Sequence, residues 1–206
     1  MARKLPRLVI VSGSSASGKS SIARDLAAEL KLVLLAKDDL KEGLFDSLGN
    51  PRDEAESHRL GTASYVLIER LGRRILEAGI GLVVEGNFWR GRAEPSLGPL
   101  VARSRSAIVH CQIAPEEMAN RLRERIEGKK KRHPGHLDSA PGSGLLELLD
   151  EPDRLVASRP DIEPPNLDVP ILRLDTTKDN NPPVGQIAKW IKKVTRDDQD
   201  RSALAP

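Results

Sequence analysis

A chain of 206 residues can bury a substantial core in one α/β domain without metals or disulfides, and its single cysteine, Cys111, excludes an internal disulfide framework and fits a reducing cytoplasm. The 33 basic and 30 acidic residues leave a net charge of +3, too small and too mixed to mark a nucleic-acid surface, and an aromatic content of 2% leaves few platforms for stacking bases. No apolar run is long enough to span a membrane, and Leu8 to Val11, after the basic N-terminus, is too short for a signal-peptide core.

Short β-branched runs alternate with longer helical periods, the pattern of a parallel sheet with helices on both faces. Leu8 to Val11 reads as a first strand and Ser20 to Leu30 as a helix with Ile22, Leu26, Ala27 and Leu30 on one face. Leu32 to Leu35 follows as a strand and Asp39 to Leu48 as a short helix. A long helix is expected over Glu54 to Ala78, striped by Leu60, Leu67, Ile68, Leu71 and Ile75 and ended by Gly79. Ile80 to Val84 and Ser106 to Gln112 are the next strands, the latter holding Cys111 as a buried thiol. Pro115 opens a helix to about Glu127 at the position where its missing N–H costs nothing.

From Gly128 to Gly144 the pattern breaks into a basic run, two histidines, two prolines and four glycines without apolar periodicity, so a surface lid is expected over about 120–144. One or two short helices over Leu145 to Ala157 precede a Pro-rich link, Arg159 to Pro165. A last strand, Val169 to Leu174, and an amphipathic helix, Val184 to Val194, close a domain of residues 1–194, and a disordered tail is expected over 195–206.

Gly13-Ser14-Ser15-Ala16-Ser17-Gly18-Lys19-Ser20 matches GxxxxGK[ST] between a strand and a helix, where backbone N–H groups wrap a nucleotide phosphate and the helix adds its positive end. Ser21 extends the cradle. Lys19 is placed to bridge the β- and γ-phosphates of ATP, and the Ser20 hydroxyl to ligate Mg²⁺. Asp38, in Lys37-Asp38-Asp39-Leu40-Lys41, follows the second strand and is positioned to deprotonate an acceptor hydroxyl; Asp39, three residues before Glu42, suits a helix N-cap. Glu85 ends the third strand, where an acid orients Mg²⁺ through water or contacts the acceptor. Asn87, Phe88, Trp89 and Arg90 come next, and two adjacent aromatics on that loop form either an acceptor wall or a local packing cluster.

Arg121 and Arg125 lie one helical turn apart, as arginines delivered by a lid to the transferring phosphate require, whereas Glu124 and Glu127 assign Arg123 to a solvent face. His133-Pro134-Gly135-His136 lacks a third ligand for zinc and reads as loop structure or lid closure. Thr177-Lys178-Asp179 lacks the spacer of the guanine-reading [NT]KxD motif, and the preceding Asp175-Thr176 is placed for backbone contacts to adenine. These residues support an ATP-dependent kinase acting on a small-molecule hydroxyl. A polynucleotide 5′-hydroxyl kinase and a non-catalytic ATP-binding module are the alternatives. A monomer or a homodimer serves equally.

In this order, the cradle, acidic strand end, Glu-Gly strand and Arg-rich segment of about Leu8 to Val194 resemble the small P-loop kinases, among them chloramphenicol phosphotransferase, zeta toxin, gluconate kinase and the kinase domain of polynucleotide kinase. The resemblance implies a five-stranded parallel sheet of order 2-3-1-4-5, a base role for Asp38, acceptor binding by Lys41, and lid arginines at Arg121 and Arg125. The segment from Pro141 to Asp168 is longer than the compact members require and carries no assignable motif.

Overall fold

The structure is a computed structural model that describes residues 4–49, 53–128, 133–136, 145–157, 163–178 and 182–196. Residues 129–132 and 137–144 of the expected lid, and 197–206 of the expected tail, lie outside the described residues. In chain order the elements are β1 (Arg7–Gly13), α1 (Lys19–Leu30), β2 (Val33–Ala36), α2 (Lys37–Leu48), α3 (Glu54–Glu77), β3 (Leu82–Glu85) and α4 (Glu94–Val101). They continue with β4 (Arg105–Gln112), α5 (Pro115–Ile126), a 3-10 turn (Pro134–His136), α6 (Leu145–Leu148), α7 (Pro152–Ala157), β5 (Ile171–Asp175) and α8 (Val184–Val194). The five strands are parallel in the order β2-β3-β1-β4-β5.

Alternation along the strands sorts the core into two layers. Val9, Val11, Val109, Cys111 and Leu174 pack against α1 and α8, with Leu26, Leu30, Ile187 and Ile191 as the helical partners. Leu8, Ile10, Val84 and Ile108 face the opposite way, onto Ile68 and Leu76 of α3 and Leu97 and Leu100 of α4. A third cluster, Met118, Ala119, Leu122, Leu149 and Leu155, joins α5 to α6 and α7 and includes Ala16 of the phosphate loop. The segment without a motif thus supplies a helical cap on α5.

Several boundaries differ from expectation for identifiable reasons. Helix α2 starts at Lys37 with Ala36 at its N-cap and no side-chain cap, so Asp39 does not cap it; Asp38 and Asp39 both sit in its first turn. In α3 the core-facing line is Ser64, Ile68, Gly72 and Leu76, whereas Leu71 is exposed, because Leu82 and Leu100 come so close that a side-chain carbon at Gly72 would meet them at 3.1 and 3.2 Å. The chain leaves α3 through Gly79 at φ 83°, and Ile80 stays outside β3, half exposed. Helix α4 has no counterpart in the sequence expectation: it carries Pro95 near its start and Pro99 inside, and both break the usual helical signal. Thr195, expected in the tail, is buried: its Oγ1 accepts from Arg7 Nε at 2.7 Å and its carbonyl from Arg105 Nη1 at 2.7 Å.

Candidate active site

The phosphate loop turns sharply between β1 and α1. Gly13 has φ 149°, and a side-chain carbon there would come within 2.4 Å of the Cys111 carbonyl oxygen, so β4 enforces the glycine. Gly18, at φ 73°, caps α1 without a side-chain hydrogen bond, leaving the helix's first N–H groups for a ligand. Ala16 also takes a left-handed conformation, φ 63°, an uncommon state for a residue with a side chain, and its methyl group is held in the α5–α7 core. Ser17 Oγ is buried and makes no hydrogen bond among the described residues, while Ser14 and Ser15 are half-buried and Ser21 is exposed. A buried orphan hydroxyl in a glycine-flanked loop at a helix N-terminus fits a phosphate cradle.

Lys19 folds across its own loop and donates to the Ser14 carbonyl at 3.2 Å, with Glu85 Oε1 at 3.9 Å. Ser20 Oγ donates to the same Glu85 oxygen at 3.3 Å. Glu85 stands at the carboxyl end of β3, beside β1 through the Val11–Glu85 register, and is only 2% exposed. Burial raises its pKa; Lys19 opposes the shift, and Asp38 and Asp39 add to it. A buried carboxylate burdened by two further acids, with a hydroxyl beside it, is chemistry that suits a divalent cation. Among the described residues no three His, Cys, Asp or Glu side chains could hold a metal on their own, so phosphate oxygens and water would complete such a site.

Asp38 lies one element over, in the first turn of α2, where Lys37 Nζ donates to its Oδ1 at 3.1 Å. Tyr65 on α3 donates to the Asn87 carbonyl at 2.9 Å, and its phenol is shifted upward by burial and by the charges of Asp38 and Glu85. Asp39 is likewise raised, by burial and then by Glu42. Lys41 is buried and donates to Ser57 Oγ of α3 at 2.8 Å. The motif reading gives Lys37 no role, yet its side chain lies in a slot between two glycines. A side-chain carbon at Gly86 would meet Lys37 Cβ at 3.1 Å, and one at Gly61 would reach its Nζ at 4.0 Å. Gly61 and Gly86 are far from Lys37 along the chain, so the sequence carried no signal for this slot.

Other expected residues divide. Phe88 belongs to the core, touching Tyr65 with ring centroids 5.7 Å apart, which leaves Trp89 alone as a candidate wall residue, half-buried with Arg92 over its ring. Arg90 reaches away from the cradle to Glu163, 3.5 Å, and to the Pro164 carbonyl, 3.4 Å, holding the segment before β5. Arg121 spans both walls of the nucleotide cleft: Nη1 donates to the Ala16 carbonyl at 3.3 Å, Nη2 to the Thr176 carbonyl at 2.8 Å, and Nε to Glu117 at 2.7 Å. Thr176 is buried, turns its own hydroxyl to the Gln112 carbonyl, and gives its own carbonyl to Arg121. Arg125 is half-buried one turn further along, and Arg123, rather than facing solvent alone, pairs with Asp150 at 2.8 Å. Burial pushes the Cys111 thiol up to about 12, against its use as a nucleophile.

Among the described residues no helix is long and apolar enough to cross a membrane. No curated protein matches the chain. The crystal structure of a protein from Chloroflexus aurantiacus J-10-fl, to which a kinase activity is ascribed, is 31% identical, with TM-score 0.79 over 93% of this chain and 99% of that one. Two enzymes share the fold at lower identity. Shikimate kinase from Bacteroides thetaiotaomicron is 14% identical, with TM-score 0.52 over 92% of this chain and 97% of that one. The Mycobacterium tuberculosis APS kinase, solved with AMPPNP and APS, is 15% identical, with TM-score 0.54 over 93% and 98%. Residues 8–139 match AAA_33, described as an AAA domain. With the cradle on β1 and α1, the 2-3-1-4-5 sheet and these likenesses together, the chain belongs to the AAA_33 family and is a small P-loop kinase by family.

Proposed function

We propose that the protein transfers the γ-phosphate of ATP to a hydroxyl of a small molecule such as an antibiotic, a sugar derivative or a nucleoside. The observation that carries this reading is the position of Asp38 in the first turn of α2, two residues after Ala36, which is in register with Glu85, so both acids stand at the carboxyl edge of the sheet. A nucleotide-binding module has no need of a second acid at that place; a phosphotransferase needs one to accept the acceptor's proton. The two fold neighbours are named for small-molecule substrates, shikimate and APS, which supports an acceptor of that class.

In this mechanism the acceptor O–H gives its proton to the Asp38 carboxylate as its oxygen forms a bond to the γ-phosphorus. The bond to the β,γ-bridging oxygen breaks, and the electron pair leaves on ADP. Lys19 exchanges the Ser14 carbonyl for phosphate oxygens. Arg121 keeps Ala16 and Thr176 at a fixed separation across the nucleotide, and Arg125, one turn further along the same helix, is the second arginine we assign to the transferring group. Ser20 and Glu85 would hold Mg²⁺, directly or through water, and the bound ion would neutralise phosphate charge. Asn87 and Trp89 are the side chains we assign to an acceptor near Asp38; Lys41, buried against Ser57, supports α2 instead.

An ATP-consumption screen over hydroxyl-bearing metabolites and antibiotics, with mass detection of the phosphorylated product, tests the proposal. Turnover is expected with at least one acceptor, and Asp38→Asn should bind ATP normally while losing about 10² to 10⁴ in kcat. Tight ATP binding with no product from a broad library would reject it.

A further inference from the structure

The His133–His136 turn is the one motif that the mechanism above does not use. It crosses nearly half the sequence to sit on α2: His136 Nε2 is 2.7 Å from Glu42 Oε1, and His133 Nε2 is 3.0 Å from Asp46 Oδ1. Between these contacts the His133 ring meets the buried Phe45 edge-on, centroids 5.5 Å apart. The His136 side chain is only 5% exposed, so the contact is built into the packing rather than laid over it. The face it covers is significant. Residues 38, 41, 42 and 45 recur at helical spacing, so Glu42 lies one turn, about 6 Å, beyond Asp38 on the same side of α2. Lys41, also on this side, is buried and bound to Ser57 of α3, which fixes α2 in place.

We propose that this turn, clasped to α2 by Glu42 and Asp46, is the water-excluding wall on the acceptor side of the site, and that His136 and Glu42 are positioning residues that set the choice between acceptor and water. The inference rests on the proposed phosphotransfer, with Asp38 as its base. A base competent to deprotonate an alcohol also deprotonates water: the water oxygen bonds to the γ-phosphorus, its proton goes to Asp38, and the bridging bond breaks to give ADP and inorganic phosphate. What suppresses that side reaction is exclusion of water until the acceptor fills the space. A wall one turn from the base, sealed by a buried imidazole against a carboxylate, provides it.

The test uses the full chain with Mg²⁺-ATP and no acceptor. Release of inorganic phosphate is measured for the native protein, Glu42→Gln and His136→Gln, beside hydrogen exchange of peptides covering residues 133–136 and α2. Both variants should exchange faster at the turn and raise phosphate release by roughly tenfold, the factor that one charge-assisted hydrogen bond carries, with the KM for ATP unchanged. A merely structural clasp would lower activity, not raise it. Faster exchange with phosphate release unchanged or undetectable overturns the proposal. So does slower release accompanied by weaker ATP binding, which would make the turn a support of the nucleotide site. Asp38→Asn separates the two readings: if it releases phosphate as fast as the native chain, the base assignment fails, whereas the exchange data still report on the clasp.

Discussion

Glu85 carries the site's charge imbalance, since burial and two neighbouring acids all oppose its ionisation while Lys19 and Ser20 favour it. A carboxyl whose midpoint is raised by folding holds its proton more tightly folded than unfolded. Its effect on stability is therefore most favourable below the ordinary glutamate range, and it is lost as pH rises through the folded midpoint. Glu85→Gln should remove that decline. In urea unfolding at pH 5 and pH 8 without nucleotide, the variant is expected to gain on the native chain at the higher pH. Added Mg²⁺-ATP should reverse the order. A variant that is less stable at pH 8 would show that the attraction to Lys19 outweighs burial. The acid's place was legible in the sequence because a strand end is a fixed position; the charges converging on it come from α2 and were not.

At the scale of elements, α2 is the piece on which the acceptor side depends, joined to α3 through Lys41 and Ser57 and to the His133–His136 turn through Glu42 and Asp46. Ser57→Ala withdraws an acceptor from a buried ammonium and should cost about 1–3 kcal/mol in urea unfolding. Thr62→Ala, exposed on the same helix, serves as a control expected within about 0.5 kcal/mol of native. Helices with clean apolar periods, α1, α5 and α8, could be read from the sequence because a single face decides them, and the five strands because short apolar runs serve a sheet covered on both faces. Helix α4 could not, since its two prolines mask a helix whose Leu97 and Leu100 are completely buried. The partners of Arg90 and Arg123 were equally hidden: each pairs with an acid far along the chain, and spacing carries no such information. Lys37 was quoted within its motif, but only the fold brings Gly61 and Gly86 to either side of it.

Across the whole molecule, the two ends of the described chain are fastened to the same sheet. Thr195 takes a hydrogen bond from Arg7 on β1 and another from Arg105 on β4, so the last turn of α8 ties the start of both strands. Thr195→Val keeps the shape and the carbonyl but loses the hydroxyl, leaving the Arg7 guanidinium short of an acceptor; a loss of about 1–2 kcal/mol in thermal or urea unfolding is expected. No change would assign Thr195 to the tail after all. A different kind of linkage runs through Ala16. Its left-handed backbone belongs to the phosphate loop, while its methyl group belongs to the hydrophobic cluster of α5, α6 and α7. One small side chain is thus shared between the nucleotide's cradle and the helical cap, as a keystone is shared by two arches. Whatever stiffens the loop leans on the cap as well, so the helices of the segment that carried no motif help to hold the cradle's shape.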